Sequence, residues 1–514
     1  MITVSKQSLN SLLAGMVADP AVLEDIQLSA ISLDSRYVVA GSLFLSLSAD
    51  QLQRLNYLEQ AIALGASVVL YEQEHDLTSS EITALAKQNI AAYAVKDLAS
   101  KAGEIAARFY GHPSMALTVI AITGTNGKTS VSQFIAQSLE LLGFPCGIIG
   151  TLGVGRLEHL SDTGMTTPDP VILQGVLADF CQQNINYVVI EASSHALDQG
   201  RLNNVMVDVA VLTNLTRDHL DYHKNMANYA AAKARLFSFP SVKTAIINST
   251  DSFGQSLINT LSATKAVKVW SYSTHDAAAK FYAKNSQATR QGVQFELVSN
   301  VGEAIITSPL LGFFNNENLL ATIASLLAIE IPFEDIIAVI EQCHSVEGRM
   351  QCYGNKQQTQ LVIDFAHTPD ALTQALQSLR AHVPAAGQLW CVFGCGGDRD
   401  AGKRSAMGRS AERYADKLIV TDDNPRSEDP AQIVSDILSG VTAVDNVHIE
   451  HDRKLAIEYA VSQASSDDIV LVAGKGHEQY QEIAGVKQPF SDVAVVMEAL
   501  AANDKHDHNI TVGA

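Results

Sequence analysis

Residues 117–130 read LTVIAITGTNGKTS, and this run decides what kind of protein the chain folds into. Leu117 to Ile122 is apolar and β-rich, as a buried strand would be, and a helical stretch follows from Thr129 to Leu142. Between them, Gly124 and Gly127 free the backbone to curl so that its N–H groups point at phosphate oxygens. The segment Gly124, Thr125, Asn126, Gly127, Lys128, Thr129 and Ser130 is therefore expected to hold ATP, aided by the partial positive charge of a helix N-terminus. Lys128 can reach the terminal phosphates, and the Thr129 hydroxyl can ligate Mg²⁺. The motif is not a standard Walker A, because Ile122 stands where GxxxxGK[ST] wants its first glycine. With a strand before and a helix after, a plain glycine-rich turn is the weaker reading.

The same alternation extends in both directions. Tyr187 to Ile190 and Val207 to Leu212 are further buried-strand candidates, and Gln360 to Ile363, Leu389 to Phe393, Lys417 to Val420 and Ile469 to Val472 restart the pattern later. Each later run is followed by a polar turn. Strands alternating with helices predict α/β architecture with mostly parallel sheets, whose ligands bind outside the carboxyl ends of the strands. The N-terminal part carries shorter runs, Ser42 to Leu47 and Ala66 to Leu70, and Leu12, Leu13, Met16 and Val17 fit one face of a short helix. Changes of pattern at 110–114 and 342–348 predict three domains, 1–110, 111–345 and 346–514.

The chain has 514 residues, 47% hydrophobic and 18% charged, an ordinary composition for a globular protein with real cores. Lys plus Arg is 35 and Asp plus Glu is 55, a net charge of −20, which disfavours nonspecific binding to nucleic acid or an anionic membrane. An anionic substrate then needs a local basic pocket. No run approaches the roughly 20 apolar residues of a membrane span, and the N-terminus makes a poor signal peptide. The six cysteines form no paired CxxC framework, and reduced thiols in a cytoplasmic enzyme fit them best.

Several strand tips carry chemistry. EASSHALDQGR (191–201) places Glu191 at the end of a strand, either as a Mg²⁺ ligand or as a capping acid. TNLTRDHLDYH (213–223) sets His219 and His223 four residues apart, but no glutamate follows His219 as the HExxH zinc motif requires, so one of the two is expected to be structural. DDNPRSED (422–429) puts one arginine, Arg426, among four acids after an apolar strand. Alone it reads as a solvated turn, since Asn-Pro starts turns.

TGTNGKT, EASSH, TNLTRDHLDYH, the lysine of YAAAKARLF and GFFNNENLLAT occur in one order, followed by EGRMQ, DFAHTPDAL, FGCGGDRDAGKR, DNPR and GKGHEQYQ. This series resembles the Mur ligases, the ATP-dependent amide-forming enzymes of peptidoglycan synthesis. The resemblance covers nearly the whole chain, weakest over residues 1 to about 90 and about 250 to 305. It implies a central P-loop-type ATPase domain on a mostly parallel sheet, a C-terminal Rossmann-like α/β domain and a smaller N-terminal α/β domain. It implies a cytoplasmic enzyme, expected as a monomer, that phosphorylates a carboxylate with ATP and lets an amine displace the phosphate.

The resemblance also assigns residues. Lys128, Glu191, His219 and Lys233 form the implied catalytic set, with Mg²⁺ near Thr129 and Glu191, a second Mg²⁺ at His219, and Lys233 carried as a carbamate that suits Mg²⁺. A free lysine would repel a metal, whereas the CO₂ adduct offers it anionic oxygen. Asn315 and Asn318 lie near adenine or cap a helix, and Arg349 and Asp364 belong to the third domain's side of the ATP site. The acceptor, UDP-N-acetylmuramoyl-L-alanyl-D-glutamate, is implied at Leu33, Ser35 and Gln51 for its UDP end and at Thr166, Thr167, Ser193, Gln199 and Arg201 for its dipeptide. Relatives often carry a Gly-His-Gln-type sequence before that glutamine; here Asp50 replaces the histidine, and an aspartate beside a pyrophosphate is unfavourable unless it points away or binds a metal.

For the incoming amino acid, DNPR is the motif of the family's diaminopimelate-adding members. Arg399, Asp423, Asn424, Pro425, Arg426, Gly474 and Glu478 form the matched set. Meso-2,6-diaminopimelate is lysine with a second carboxylate at its far end, which a guanidinium can grip with two parallel hydrogen bonds. The sister ligase that adds L-lysine, a folylpolyglutamate-synthase-like ligase and a P-loop regulatory ATPase are the competing readings. SLDSR and the acceptor set argue against folate, and a switch needs no amino-acid pocket.

Overall fold

The computed structural model describes residues 6–17, 24, 26–265, 267–354 and 358–511. The chain packs as two compact units, one of residues 1–282, 299–301 and 318–339, the other of 283–298, 302–317 and 340–514.

The first unit holds two sheets. Strands Ala30–Ser32, Ser42–Ser46, Ala66–Glu72 and Ala91–Val95 pair in that order, all parallel. Helices Gln51–Ala63 and Ser79–Lys87 make crossovers of the kind parallel pairing demands, and helix Leu98–Phe109 follows the last strand. Helix Gln51–Ala63 starts on Asp50, whose carboxylate accepts the Gln53 N–H at 2.9 Å. The acid that looked misplaced beside a pyrophosphate is an N-cap, with its charge spent on an orphan helix donor. The predicted N-terminal helix is shorter than its apolar spacing suggested: only Leu9–Leu12 is helical, and a turn at Gly15 (φ +77°) buries Leu13 and Met16 without a helix.

The larger sheet of this unit runs His159–Ser161, Gly153–Arg156, Cys146–Gly150, Tyr187–Glu191, Thr118–Thr123, Val209–Leu212, Thr244–Asn248, Lys268–Ser273, and its ladder continues on Phe281 and Tyr282. The strands from Cys146–Gly150 through Lys268–Ser273 are parallel. Val119, Ala121, Val188, Ile190, Ala210 and Leu212 are buried on one face, while Ile120, Ile122, Val189 and Val211 are buried on the other. Burial on both faces is why these strands read as unbroken apolar runs rather than alternating ones.

In the second unit a six-stranded sheet runs Gln351–Tyr353, Gln360–Asp364, Ile469–Ala473, Leu389–Phe393, Lys417–Val420, Val447–Ile449. Only its first strand is antiparallel. Asp364, Gly394, Thr421 and Gly474 stand at or just beyond the carboxyl ends of four neighbouring strands. A hairpin, Tyr480–Ile483 with Val486–Pro489, follows the last of them. A buried ion pair, Arg453 Nε to Asp492 Oδ1 at 2.7 Å, ties helix Arg453–Gln463 to the C-terminal helix Asp492–Thr511. Among the described residues no helix is long and apolar enough to cross a membrane.

Candidate active site

The phosphate-binding turn forms between strand Thr118–Thr123 and helix Lys128–Leu141. Gly124 has φ +149°, and a Cβ there would sit 1.8 Å from Thr213 Oγ1, so only glycine fits. Gly127, at φ +85°, is the helix N-cap, and a Cβ on it would lie 2.7 Å from Asn318 Oδ1. That contact places Asn318 at the turn. The turn is braced by the TNLT segment: Asn126 N–H donates to Asn214 Oδ1 at 2.9 Å, and Thr125 N–H to the Asn214 carbonyl at 2.9 Å. Ser130 lies in the first turn of the helix.

Lys128 Nζ folds back onto the carbonyls of Gly124 and Thr125, each at 2.9 Å. Lys233, from helix Met226–Ala234, donates to the same Gly124 oxygen at 2.7 Å and lies 4.5 Å from the Tyr229 ring. Burial pushes the Lys128 ammonium below its ordinary value, against the pull of Glu191 and Asp218. Lys233 is also lowered, to about 6, first by burial and then by the charge of Lys128. Its amine is therefore neutral at pH 7.

Glu191 is buried at the tip of strand Tyr187–Glu191. It accepts from Thr129 Oγ1 at 2.9 Å, from Thr151 N–H at 3.0 Å and from Thr151 Oγ1 at 3.0 Å. It caps no helix; its partners are the two threonines at the nucleotide turn. Thr151 escaped the sequence reading, although it directly follows the apolar strand Cys146–Gly150. His219 stands in another group. Its φ is +51°, its ring lies 5.0 Å from His195 and 6.1 Å from Tyr229, and Asp218 is 3.5 Å away. His223 is the structural histidine, buried with Nε2 3.0 Å from Ser194 Oγ. Burial, then the neighbouring histidine, lowers both His195 and His223.

The acceptor candidates converge around Glu191. Thr166 Oγ1 is 3.1 Å from Thr151 Oγ1, and Thr167 Oγ1 donates to the Glu191 carbonyl at 2.6 Å and to Ser193 Oγ at 3.2 Å. Arg201 donates to Gln199 Oε1 through Nε at 3.0 Å and Nη2 at 2.7 Å, and to the Thr167 carbonyl at 2.7 Å. Ser35 bonds Gln60 at 2.7 Å, and Leu33 lines a cleft of about 290 Å³ with Asp34, Tyr37, Tyr110 and Asp169. Gln51 is exposed on the first turn of its helix.

In the second unit, Asn315 is buried and donates to the Leu311 carbonyl at 2.8 Å. Arg349 packs over the Phe365 ring at 5.4 Å. Asp364 accepts N–H bonds from Met350 and Ala366 at 2.8 Å each, and burial nonetheless raises its carboxyl.

The charges of DDNPRSED are resolved one by one. Asp422 meets His451 at 2.9 Å, Glu428 meets Arg404 at 2.9 Å, and Asp429 caps helix Pro430–Leu438. Asp423 is buried 4.0 Å from Lys475 Nζ, its carboxyl raised by that burial, and a Cβ on Gly474 would meet it at 2.5 Å. Asn424 is the hub. It donates to Glu478 at 2.9 Å and accepts from Lys475 at 3.1 Å and from the Glu482 N–H at 2.9 Å. Burial would raise Glu478, but hydrogen bonds from Lys475 and Asn424 outweigh it and hold the carboxyl low. The sequence reading missed Lys475, whose signal was a lysine between two glycines just past a strand tip.

Arg426 follows Pro425 with φ +52°, in the left-handed region. Its N–H donates to the Glu482 carbonyl at 3.0 Å and its carbonyl accepts from Ala484 at 2.7 Å, so the hairpin clamps it on both sides. Nη1 donates to the Gly397 carbonyl at 2.7 Å, next to the GGDRD turn that carries Arg399. Among the described residues Arg399 has no hydrogen bond or ion pair, and Arg426 Nη2 makes no hydrogen bond.

Among the described residues no three His, Cys, Asp or Glu side chains form a metal-binding group. The oxygen-rich set at the nucleotide turn, the buried Glu191 carboxylate with Thr129, still fits Mg²⁺, which takes only one or two carboxylates and completes its shell with water and phosphate.

Family comparison agrees with this geometry. Residues 122–326 match the Mur ligase middle domain and residues 348–476 the Mur ligase, glutamate ligase domain. The chain is 46% identical over 483 residues to the UDP-N-acetylmuramoyl-L-alanyl-D-glutamate--2,6-diaminopimelate ligase of Ectopseudomonas mendocina, covering 94% of this chain and 97% of that one. It is 45% identical over 485 residues to the Pseudomonas aeruginosa protein of the same name, with 94% and 97% covered. A solved structure of a UDP-N-acetylmuramoyl-L-alanyl-D-glutamate--2,6-diaminopimelate ligase superposes with a TM-score of 0.77 at 37% identity, over 97% of this chain and 99% of that one. With the phosphate turn, the paired lysines and both domain models in one chain, the protein belongs to the Mur ligase family.

Proposed function

We propose that the chain is an ATP-dependent, ADP-forming ligase that joins meso-2,6-diaminopimelate to UDP-N-acetylmuramoyl-L-alanyl-D-glutamate through an acyl phosphate, in cytoplasmic peptidoglycan precursor synthesis. The observation that carries the amino-acid choice is Arg426, held by its backbone on the hairpin and by Nη1 on Gly397, with Nη2 making no hydrogen bond among the described residues. A preset guanidinium fork suits a far-end carboxylate, which L-lysine lacks.

The remaining roles are our reading of the motifs together with the local hydrogen bonds. Gly124 to Ser130, with Asn318 beside them, wrap the ATP phosphates, and Asn315, Arg349 and Asp364 are assigned to ATP by the family resemblance alone. Lys128 exchanges its two carbonyl acceptors for phosphate oxygens, meeting charge that grows during transfer. Thr129 and Glu191 would hold one Mg²⁺ and His219 a second, carbamylated Lys233 would offer anionic oxygen, and the bound metal would neutralise phosphate charge. Lys233 can take up CO₂ because its buried amine is neutral at pH 7. Thr166, Thr167, Ser193, Gln199 and Arg201 hold the dipeptide end of the acceptor, and Leu33, Ser35 and Gln51 its UDP end. Arg399, Asp423, Asn424, Pro425, Arg426, Gly474 and Glu478 receive diaminopimelate. The enzyme works as a monomer with domains 1–110, 111–345 and 346–514 for the UDP-muramoyl substrate, ATP and the amino acid.

Phosphate release is measured with ATP and the UDP-muramoyl dipeptide, adding meso-diaminopimelate, L-lysine or no amino acid. Diaminopimelate alone should sustain turnover, and Arg426→Ala should lower kcat/KM for it by about 10- to 150-fold, the worth of a charge-assisted contact. Equal use of lysine, or near-native kinetics in the variant, overturns the assignment.

A further inference from the structure

The Lys475 side chain is fully buried, at 0% exposure, just past the tip of strand Ile469–Ala473. A buried ammonium is costly unless acceptors meet its hydrogens. Nζ donates to Glu478 Oε2 at 2.9 Å and to Asn424 Oδ1 at 3.1 Å, with Asp423 Oδ1 4.0 Å away. Asn424 Nδ2 donates to the same Glu478 oxygen at 2.9 Å, so the three side chains close a triangle in which every edge is a hydrogen bond. The backbone is shaped to bring the lysine there. Gly474 and Gly476, on either side of it, have φ +118° and +54°, and the Glu478 N–H closes the turn on the Lys475 carbonyl at 3.0 Å.

The triangle sets the direction of two groups assigned above to the amino acid. An ammonium only donates, and so does the Glu482 N–H that reaches Asn424 Oδ1 at 2.9 Å. Both therefore turn the oxygen of the Asn424 amide toward themselves and its NH₂ toward Glu478. Glu478 in turn is held by one oxygen. Both of its side-chain donors reach Oε2, whereas Oε1 makes no hydrogen bond among the described residues, and the side chain is 24% exposed. One carboxylate oxygen is anchored and the other is left for a ligand. Lys475, wholly enclosed, does not meet that ligand itself.

We propose that Lys475 is a positioning residue for the incoming amino acid: it fixes Glu478 and Asn424 in the arrangement that receives an ammonium of the substrate, without touching the substrate. This rests on the diaminopimelate reading of the site. Without its buried anchor the glutamate would be free to change rotamer, and binding would have to order it first.

The test is steady-state phosphate release by the full-length protein, its Lys475→Met and Glu478→Gln variants and their combination, with calorimetric affinity for meso-diaminopimelate where turnover is absent. Lys475→Met should raise KM for meso-diaminopimelate about tenfold while those for ATP and the UDP-muramoyl dipeptide stay within about twofold, because one substrate's contact is disturbed and the others' are not. A residue that served the fold alone would not single out one KM. Lys475 acts chiefly through Glu478, so its loss should matter little once that carboxylate is gone. In the Glu478→Gln background Lys475→Met should change kcat/KM for meso-diaminopimelate by less than about threefold, against about tenfold in the native background. Lys475→Gln, which keeps an N–H donor in the buried position, enters the same cycle with the same expectation should Lys475→Met fail to fold. An unchanged KM for meso-diaminopimelate, an equal rise in all three KM values, or additive effects in the cycle would overturn the proposal although the ligase reading stands. If the native protein does not turn over with meso-diaminopimelate, the ligase reading itself has failed.

Discussion

Lys128 and Lys233 donate to one and the same oxygen, the Gly124 carbonyl, at 2.9 and 2.7 Å. Burial first, and then the charge of Lys128, lowers Lys233 to about 6. The glycine turn assigned above to phosphate thus also borders an amine with a lowered pKa.

That amine should react with CO₂. Protein equilibrated with ¹³C-labelled bicarbonate should show a carbamate carbon by NMR, absent from Lys233→Met. Activity should fall in rigorously CO₂-free buffer and return on adding bicarbonate. A native spectrum identical to that of the variant would refute carbamylation.

The same lysine sets a pH dependence of stability. In CO₂-free buffer it is neutral in the folded chain above about 6 but charged in the unfolded chain up to its ordinary 10.5. Across that window the unfolded chain binds the extra proton, so stability rises with pH. The burden on folding is full below about 6 and gone above 10.5. Lys233→Met should remove this slope and stabilise the protein most near pH 6, as read from urea midpoints between pH 6 and 10.

Glu191→Gln keeps the volume of a buried side chain but loses the charge that faces Thr129 and Thr151. We expect kcat to fall by about 10²-fold or more, the scale seen when one preorganised electrostatic group is removed. Mg²⁺ titration of activity should shift to higher concentration, with the melting temperature little changed.

Gly124→Ala tests the turn itself. Its Cβ would meet Thr213 Oγ1 at 1.8 Å and the Asn214 backbone at 3.1 Å, in a φ region alanine disfavours. The variant should lose ATP binding by calorimetry and about 1–3 kcal/mol of stability by urea unfolding.

Asp492→Asn would leave Arg453 as a buried charge without its partner, since neither side chain of the pair is exposed. A loss of about 3–5 kcal/mol is expected by urea unfolding. Replacing both residues by apolar ones of similar volume should recover much of it.

The phosphate turn was legible because its strand, glycines, lysine and helix all lie within residues 117–130, where local rules decide. The fold class followed from the unbroken apolar runs that double-sided burial imposes. The acids of DDNPRSED were not legible, because His451 and Lys475 reach them from other strand tips and Arg404 from the start of helix Arg404–Tyr414. Leu13 and Met16 kept a helical spacing in a segment that Gly15 turns instead, so apolar period predicted their burial but not their backbone. Asp50 could have been read as an N-cap three residues before the Gln53 N–H it accepts.

The double backbone clamp between Arg426 and the Glu482–Ala484 strand also limits what can be transplanted. Grafting DNPR alone onto a relative with another amino-acid preference would deliver an arginine with nothing to hold its left-handed turn. The portable cassette is the loop together with the hairpin at 480–489, two pieces distant in the chain that must travel as one.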